Sequence, residues 1–349
     1  MKMTVLYAGL RSPHAGWAAI DELALILGRV FQAEMLSPAV LPNALLRRLT
    51  GREKLQFAPL ECAGGDVLFV VARGPEDLAM VNAIRDVRSK FKRIHAFVTD
   101  SYFQAGFYAE TALFDSITVT AHEDVAFPAQ KFGIAVHQLY QGTDGLQWAP
   151  RQRFAREIDV MAFGRTPPSY QGALTQAFHR MDSPYLYLHS PLGNLSGPTV
   201  QIERAMLFKL LHRTRISLAF HLLIEPQGGR PRSMMVTSRW LESLLSGCLV
   251  AGRRPVSRMA DDMLDWDGST IEVSTQPDEA VQELQQLLRD EDAMLQQRNR
   301  NVHNTLLRHD WRQRIHTLCG LNGWDVPAAL QDELQELDAL TRHWQAMGS

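Results

Sequence analysis

The sequence predicts an α/β protein built from two doubly wound, Rossmann-type halves that face each other across a cleft. Three observations carry this expectation. Short apolar runs alternate with helical patterns, as in a parallel sheet covered by helices. The alternation is played twice, with a turn-rich joint near residues 141–152. The length, 349 residues, exceeds a usual single core.

In the first half, KMTVLYAG reads as a strand ending in a glycine loop, and GWAAIDELALILGRVF as the helix behind it. GGDVLFVVA is the next strand, and EDLAMVNAIRDVRSKF predicts a helix. RIHAFVTD is a third strand, stopping at Asp100; SITVTAH and GIAVHQLYQ add two more around the helix-compatible HEDVAFPAQKF. The second series opens with EIDVMAFGR, ending at Gly164 and Arg165, backed by the helix SYQGALTQAFHRM. SPYLYLHS, TRISLAFHLL, GCLVAG and STIEVST complete its strands. Helices are expected at about 201–213 and 238–246, and one long amphipathic helix over 278–307. HDWRQRIHTLCGL and AALQDELQELDALTRHWQAM are helical with no strand to cross over to. The expected division is 1–148, 149–325, and a last helix at 326–349 that crosses back to the first half.

Composition narrows the function classes. With 46% hydrophobic and 21% charged residues the chain reads as soluble and globular. A net charge of -2 argues against a general nucleic-acid binder, which would show a basic excess. Cys62, Cys248 and Cys319 form no CxxC pair, which argues against zinc-site spacing or a disulfide framework and suits a reducing cytoplasm. Arg11 and Pro13 interrupt the early apolar run before a signal-peptide core forms. The most apolar later segments fall far short of the ~20 residues that cross a bilayer.

Ligands of open α/β sheets bind beyond the strand C-termini, and two such sheets would direct both sets of ends into one cleft. The loop after the first strand matches neither GxGxxG nor GxxxxGK[ST]. The start of the 238–246 helix is the stronger candidate. Unpaired N–H groups and the positive dipole end favour phosphate there. Thr237 and Ser238 supply hydroxyls, and Arg239 a planar set of donors. Upstream, EPQGGRPRSMM offers Arg230 and Arg232 beside two glycines. Glu242 would be repelled by phosphate, but one turn further in it can accept hydrogen bonds from ribose hydroxyls. Arg239 and Glu242 also fit a plainer account, a solvated face opposite Trp240, Leu241, Leu244 and Leu245. A surface pair of that kind contributes only ~0.2–0.5 kcal/mol. Two strand ends add candidates: Arg165 for phosphate or donor sugar, and Asp100 to orient or deprotonate an acceptor hydroxyl.

The run Thr214 to Pro255 resembles the donor half of GT-B fold glycosyltransferases, of the bacterial group-1, CgeB-like kind. A strand, a variable loop, a T-x-R-x-x-E helix, a glycine and an apolar strand follow in order, with Thr237, Arg239, Glu242 and Gly247 at the matching positions. His309, Asp310, Trp311 and Arg314 are similar to the family's terminal H-[T/D]-[W/Y]-x-x-R segment. HQLYQGTDGL resembles its exit from the first domain, written P-x-G-x-D, without the proline. The resemblance covers roughly residues 95–320.

It implies transfer of a sugar from a nucleotide-diphosphate donor to a glycan, lipid-linked or protein acceptor, without a cofactor or bound metal. Arg165, Arg230, Arg232, Thr237, Ser238, Arg239 and Glu242 would hold the donor, and His14, in the first loop, and Asp100 are the candidate catalytic groups. A nucleotide-sugar epimerase of the same fold and a catalytically silent sugar-nucleotide-binding subunit are the alternatives. Asp265-Trp266-Asp267 mimics a DxD metal motif but reads as turn chemistry at Asp267-Gly268. His303, His309 and His316 lack metal-ligand spacing. The basic, leucine-bearing stretch 44–55 is a solvated face, or a contact to the inner membrane face for an otherwise cytoplasmic protein.

Overall fold

A computed structural model describes residues 1–9, 15–41, 55–189, 200–221, 224 and 234–348. The first sheet contains β1 (Met3–Tyr7), β2 (Glu34–Leu36), β5 (Gly65–Ala72), β6 (Phe91–Val98), β7 (Ser116–Val119) and β8 (Ala135–Gln138), in the order β2-β1-β5-β6-β7-β8. All its pairings are parallel. A small antiparallel pair, β3 (Val40–Leu41) and β4 (Gln56–Phe57), lies outside it. Strands buried on both faces need continuous apolar runs, and β5 shows why. Its Val67, Phe69 and Val71 face one core with helix α1 (Ala18–Val30), while Leu68, Val70 and Ala72 face the other.

The run expected as one helix over 76–91 is instead a 3-10 segment, Pro75–Ala83, then a short helix α2 (Val87–Lys90). Ile84 is extended and bridges to Leu60, and Asp86 is left-handed with φ 53°, so no continuous helix passes through. After it come α3 (Ala126–Phe132) and, within the joint, α4 (Gly145–Trp148).

The second sheet is also parallel, in the order β10-β9-β11-β12-β13. Its strands are β9 (Ile158–Ala162), β10 (Tyr187–His189), β11 (Thr214–Phe220), β12 (Leu249–Arg253) and β13 (Ile271–Glu272). Helices α5 (Pro168–Phe178), α6 (Val200–Leu211), α7 (Ser238–Leu245), α8 (Arg258–Met263) and α9 (Pro277–Leu287) accompany them. The helix expected over 278–307 is divided: α9 ends at Leu287, and α10 (Glu291–Arg308) starts anew with Asp290 accepting from the Ala293 N–H at 3.0 Å.

The return to the first half begins at Trp311, earlier than the 326 expected from the sequence. In α11 (Trp311–Asn322), Trp311, Ile315 and Leu318 lie in the first-half core with α1 and β5. The Trp311 indole donates to the Ala19 carbonyl at 2.9 Å. Helix α12 (Ala328–Gly348) then spans both halves, with Leu330 in the first core and Leu337, Leu340 and Trp344 in the second. The two crossing segments pair where they pass: Thr143 N–H donates to the His309 carbonyl at 2.9 Å, and Trp311 N–H to the Thr143 carbonyl at 3.1 Å. Asp310 caps α11 and accepts the Gly145 N–H at 2.7 Å. Thus the H-D-W-x-x-R residues stitch the halves together.

Candidate active site

Helix α7 is amphipathic in sequence but interior in structure. Trp240, Leu241, Leu244 and Leu245 are buried, as expected, but so are Glu242 (4% exposed), Ser243 and Ser246. The solvated polar face is therefore corrected to an interface. Ser243 bonds Ser217 of β11 at 2.8 Å, and Glu242 Oε1 accepts Arg204 Nη1 at 2.8 Å. A sequence pattern cannot separate a polar face against water from one against buried polar groups, and here the second holds.

The start of α7 lies at the junction of the halves. Immediately before it, the Val236 carbonyl accepts the Gln141 amide of the crossover, and Met235 packs with Tyr102 and Ala121 of the first half. Thr237 is the N-cap with extended backbone, φ -83° and ψ 164°, and its hydroxyl makes no capping bond. Ser238 and Arg239 form the first turn and are partly exposed. Arg239 reaches sideways to the end of β9, where it donates to the Arg165 carbonyl and sits 5.7 Å from the Phe163 ring. Gly164 makes this approach possible: at φ 67°, a Cβ there would meet Arg239 Nη2 at 2.5 Å. Burial pushes the Arg239 guanidinium down to about 10, with Glu242 opposing and the Arg165 charge acting in the same direction.

Arg165 is exposed in the loop after β9. Across the cleft, Asp100 follows β6, its N–H bonded to the Arg73 carbonyl at 2.9 Å. Burial and then the Glu76 carboxylate raise the Asp100 carboxyl to about 7, against the pull of Arg165. The charge of Arg165, a strand end of the second half, thus reaches the Asp100 carboxyl, a strand end of the first. Tyr102 is raised to about 12, by burial and by Asp100.

His14, Arg230 and Arg232 lie outside the described residues, as does the 44–55 stretch apart from Leu55. Asp265 is paired with Arg308, the Asp267 carbonyl accepts from Gln297 at 3.0 Å, and Gly268 turns at φ 74°. His303 and His309 are hydrogen-bonded to the Thr341 and Met263 carbonyls. No described helix is long and apolar enough to cross a membrane.

Sequence reasoning missed a buried polar cluster beside the cleft. Arg73 binds Asp21 of α1 with one nitrogen to both oxygens, at 3.2 and 3.0 Å. Arg204 on α6 joins Glu22 of α1 to Glu242 of α7. The signal was present: Asp21-Glu22 interrupts a helix that is otherwise apolar up to Arg29, and both are buried. Nothing in the sequence, however, connects Glu22 with a residue 182 positions later.

Residues 194–320 match the family described as glycosyl transferase-like. Crystal structures of Anabaena HepE in complex with UDP and with UDP-glucose superpose on the chain with a TM-score of 0.53 each, at 12% and 11% identity. Both alignments cover 92% of this chain and 100% of HepE. The sequence has no significant match among curated proteins. The fold is that of the GT-B glycosyltransferases, and residues 194–320 of the second half are similar to the glycosyl transferase-like family.

Proposed function

We propose that the chain transfers a sugar from a nucleoside-diphosphate donor, held by the second half, to a hydroxyl of a glycan, lipid-linked or protein acceptor entering over the first. What supports this reading is that the Arg165 charge acts on the Asp100 carboxyl of the opposite half, while Arg239 at the α7 start donates to the Arg165 carbonyl. The CgeB-like order of Thr237, Arg239, Glu242 and Gly247 supports the donor assignment. Since HepE is solved with UDP and UDP-glucose, a uridine nucleotide is the first donor to try.

In this reading the diphosphate lies against the first turn of α7, where N–H groups, the Thr237 and Ser238 hydroxyls, Arg239 and Arg165 meet its charge without a metal ion. These groups stabilise the leaving diphosphate as negative charge grows on it. Glu242 accepts the ribose hydroxyls. Asp100, when ionised, takes the proton of the acceptor hydroxyl; that oxygen bonds the anomeric carbon, and the bond to the diphosphate breaks with its electron pair leaving on the nucleotide. A base on the acceptor side implies inversion at that carbon. His14 and the Arg230/Arg232 loop complete the set as further donor or acceptor contacts.

The test is incubation of the full chain with UDP-, GDP- and ADP-sugars, with and without mixed glycan and lipid-linked acceptors. Acceptor-dependent release of one nucleoside diphosphate is expected. Interconversion of sugars without acceptor would replace transfer by epimerisation, and nucleotide binding with no turnover under any pairing would leave a binding subunit.

A further inference from the structure

Arg204 is only 5% exposed and is bound on several sides. Its Nε donates to Glu22 Oε1 of the first half, and its Nη1 to Glu242 Oε1 of the second. Trp148 donates to the same Glu22 oxygen at 2.6 Å. The guanidinium lies 5.1 Å from the Phe208 ring, which stacks on Trp148 with centroids 4.7 Å apart and planes within 1°. Both contacts with Glu22 cross the boundary between the two sheets.

A buried ion pair is a poor device for stability alone, because an apolar group of equal size usually serves as well or better. Its particular property is orientation. A planar guanidinium fixes the plane of each carboxylate it binds, which a flexible ammonium does not. This network is also not closed on itself: Arg204 Nη2 and Glu22 Oε2 are buried with no hydrogen-bond partner among the described residues. A group whose role were only to fill the interior would be expected to satisfy its donors within it. Glu242 uses one carboxylate oxygen for Arg204, and a carboxylate has about four acceptor sites, so further donors can be accepted.

We propose that Arg204 is a positioning residue, a clasp that orients Glu242 toward the ribose of the nucleotide and anchors it through Glu22 to the opposite half. Ribose recognition then depends on how the halves are placed, and nucleotide binding reports on that placement. The inference rests on the assignment of Glu242 to the ribose, and the experiment separates the two.

Affinity of the full chain for UDP and for 2′-deoxy-UDP is measured by calorimetry, with folding followed by circular dichroism and melting. The parent is expected to prefer UDP by about tenfold or more, the value of one charge-assisted hydrogen bond. Glu242→Gln should reduce the preference to about threefold or less. Arg204→Gln should do the same with Glu242 present, and Arg204→Lys should restore part of it. A folded Arg204→Gln variant that keeps the parental preference, while Glu242→Gln loses it, overturns the clasp and leaves the ribose assignment standing. A Glu242→Gln variant that keeps the preference overturns both. Should Arg204→Gln not fold, Glu22→Gln decides: it leaves the Arg204–Glu242 pair but weakens the anchor, so a fall of a few-fold supports the clasp and an unchanged preference overturns it.

Discussion

Replacing Asp100 by asparagine tests the base proposed for the acceptor side of the reaction. The carboxyl is half-ionised at about 7, so only about a tenth of molecules carry the base at pH 6, and the rate should fall about tenfold per pH unit below that point. Asparagine cannot take the proton, and a positioned base contributes roughly 10²- to 10⁴-fold. Initial rates of nucleoside-diphosphate release, as kcat/KM from pH 5 to 9, should show an acid limb in the parent and a low, flat profile in Asp100→Asn. Two neighbours supply the sign. Glu76 raises Asp100, so Glu76→Gln should move the limb to lower pH; Arg165 lowers it, so Arg165→Gln should move it higher. Stability must shift consistently. Between 3.8 and about 7 the native state holds the Asp100 proton more tightly than the unfolded chain, so stability falls as pH rises through that window and the effect vanishes at its lower end. Asp100→Asn should therefore be more stable than the parent at pH 8 and equal to it near pH 4. An Asp100→Asn enzyme within about threefold of the parent, with its acid limb intact, refutes the assignment of the base.

Arg239→Ala should weaken binding of a nucleoside diphosphate by about tenfold to a hundredfold, in line with one charge-assisted contact of ~1.5–3 kcal/mol, and leave the nucleoside unaffected; calorimetry with both ligands checks it. Arg312 is buried between Asp144 at 2.9 Å, Asp310 at 3.1 Å and Glu333 at 2.6 Å. Arg312→Ala strands two buried carboxylates and should cost about 3–5 kcal/mol in urea unfolding. Breaking the exposed Arg342–Asp338 pair should cost less than about 1 kcal/mol. Gly252 lies at φ 149° where an added Cβ would stand 1.9 Å from the Ala219 carbonyl oxygen. Gly252→Ala must therefore part β11 from β12 and should lose about 3 kcal/mol or more, seen as a fall in melting temperature.

The parallel sheets were legible because strands buried on both faces leave unbroken apolar runs such as VLFVVA and ISLAF. The short edge strand β2 and the β3–β4 pair left no such run and went unseen. The break at Asp86 was hidden because the residues around it keep a helical apolar period while their backbone serves the bridge to Leu60. At the candidate site, the order of Thr237, Arg239 and Glu242 with the flanking strand and glycine is what singles them out as the proposed donor contacts. What the order could not tell was that Glu242 is interior and met by a guanidinium. Nor could it show that Arg239 bends toward the end of β9, because Arg204 and Gly164 become neighbours of α7 only through the topology of the sheet.

The segment that matches the glycosyltransferase family, 194–320, is consequently not self-contained. It ends within α11, whose Trp311, Ile315, Leu318 and Cys319 lie in the first-half core beside β5. Its α7 start is held from outside by Gln141, and its Glu242, through Arg204, by Glu22. Excised, the segment would expose the α11 residues to water, each large side chain losing roughly 1.5–3 kcal/mol of burial. It would also release the turn expected to bind diphosphate from one of its supports. The proposed donor site is therefore a property of both halves, since the first half holds the turn and carboxylate that the second contributes.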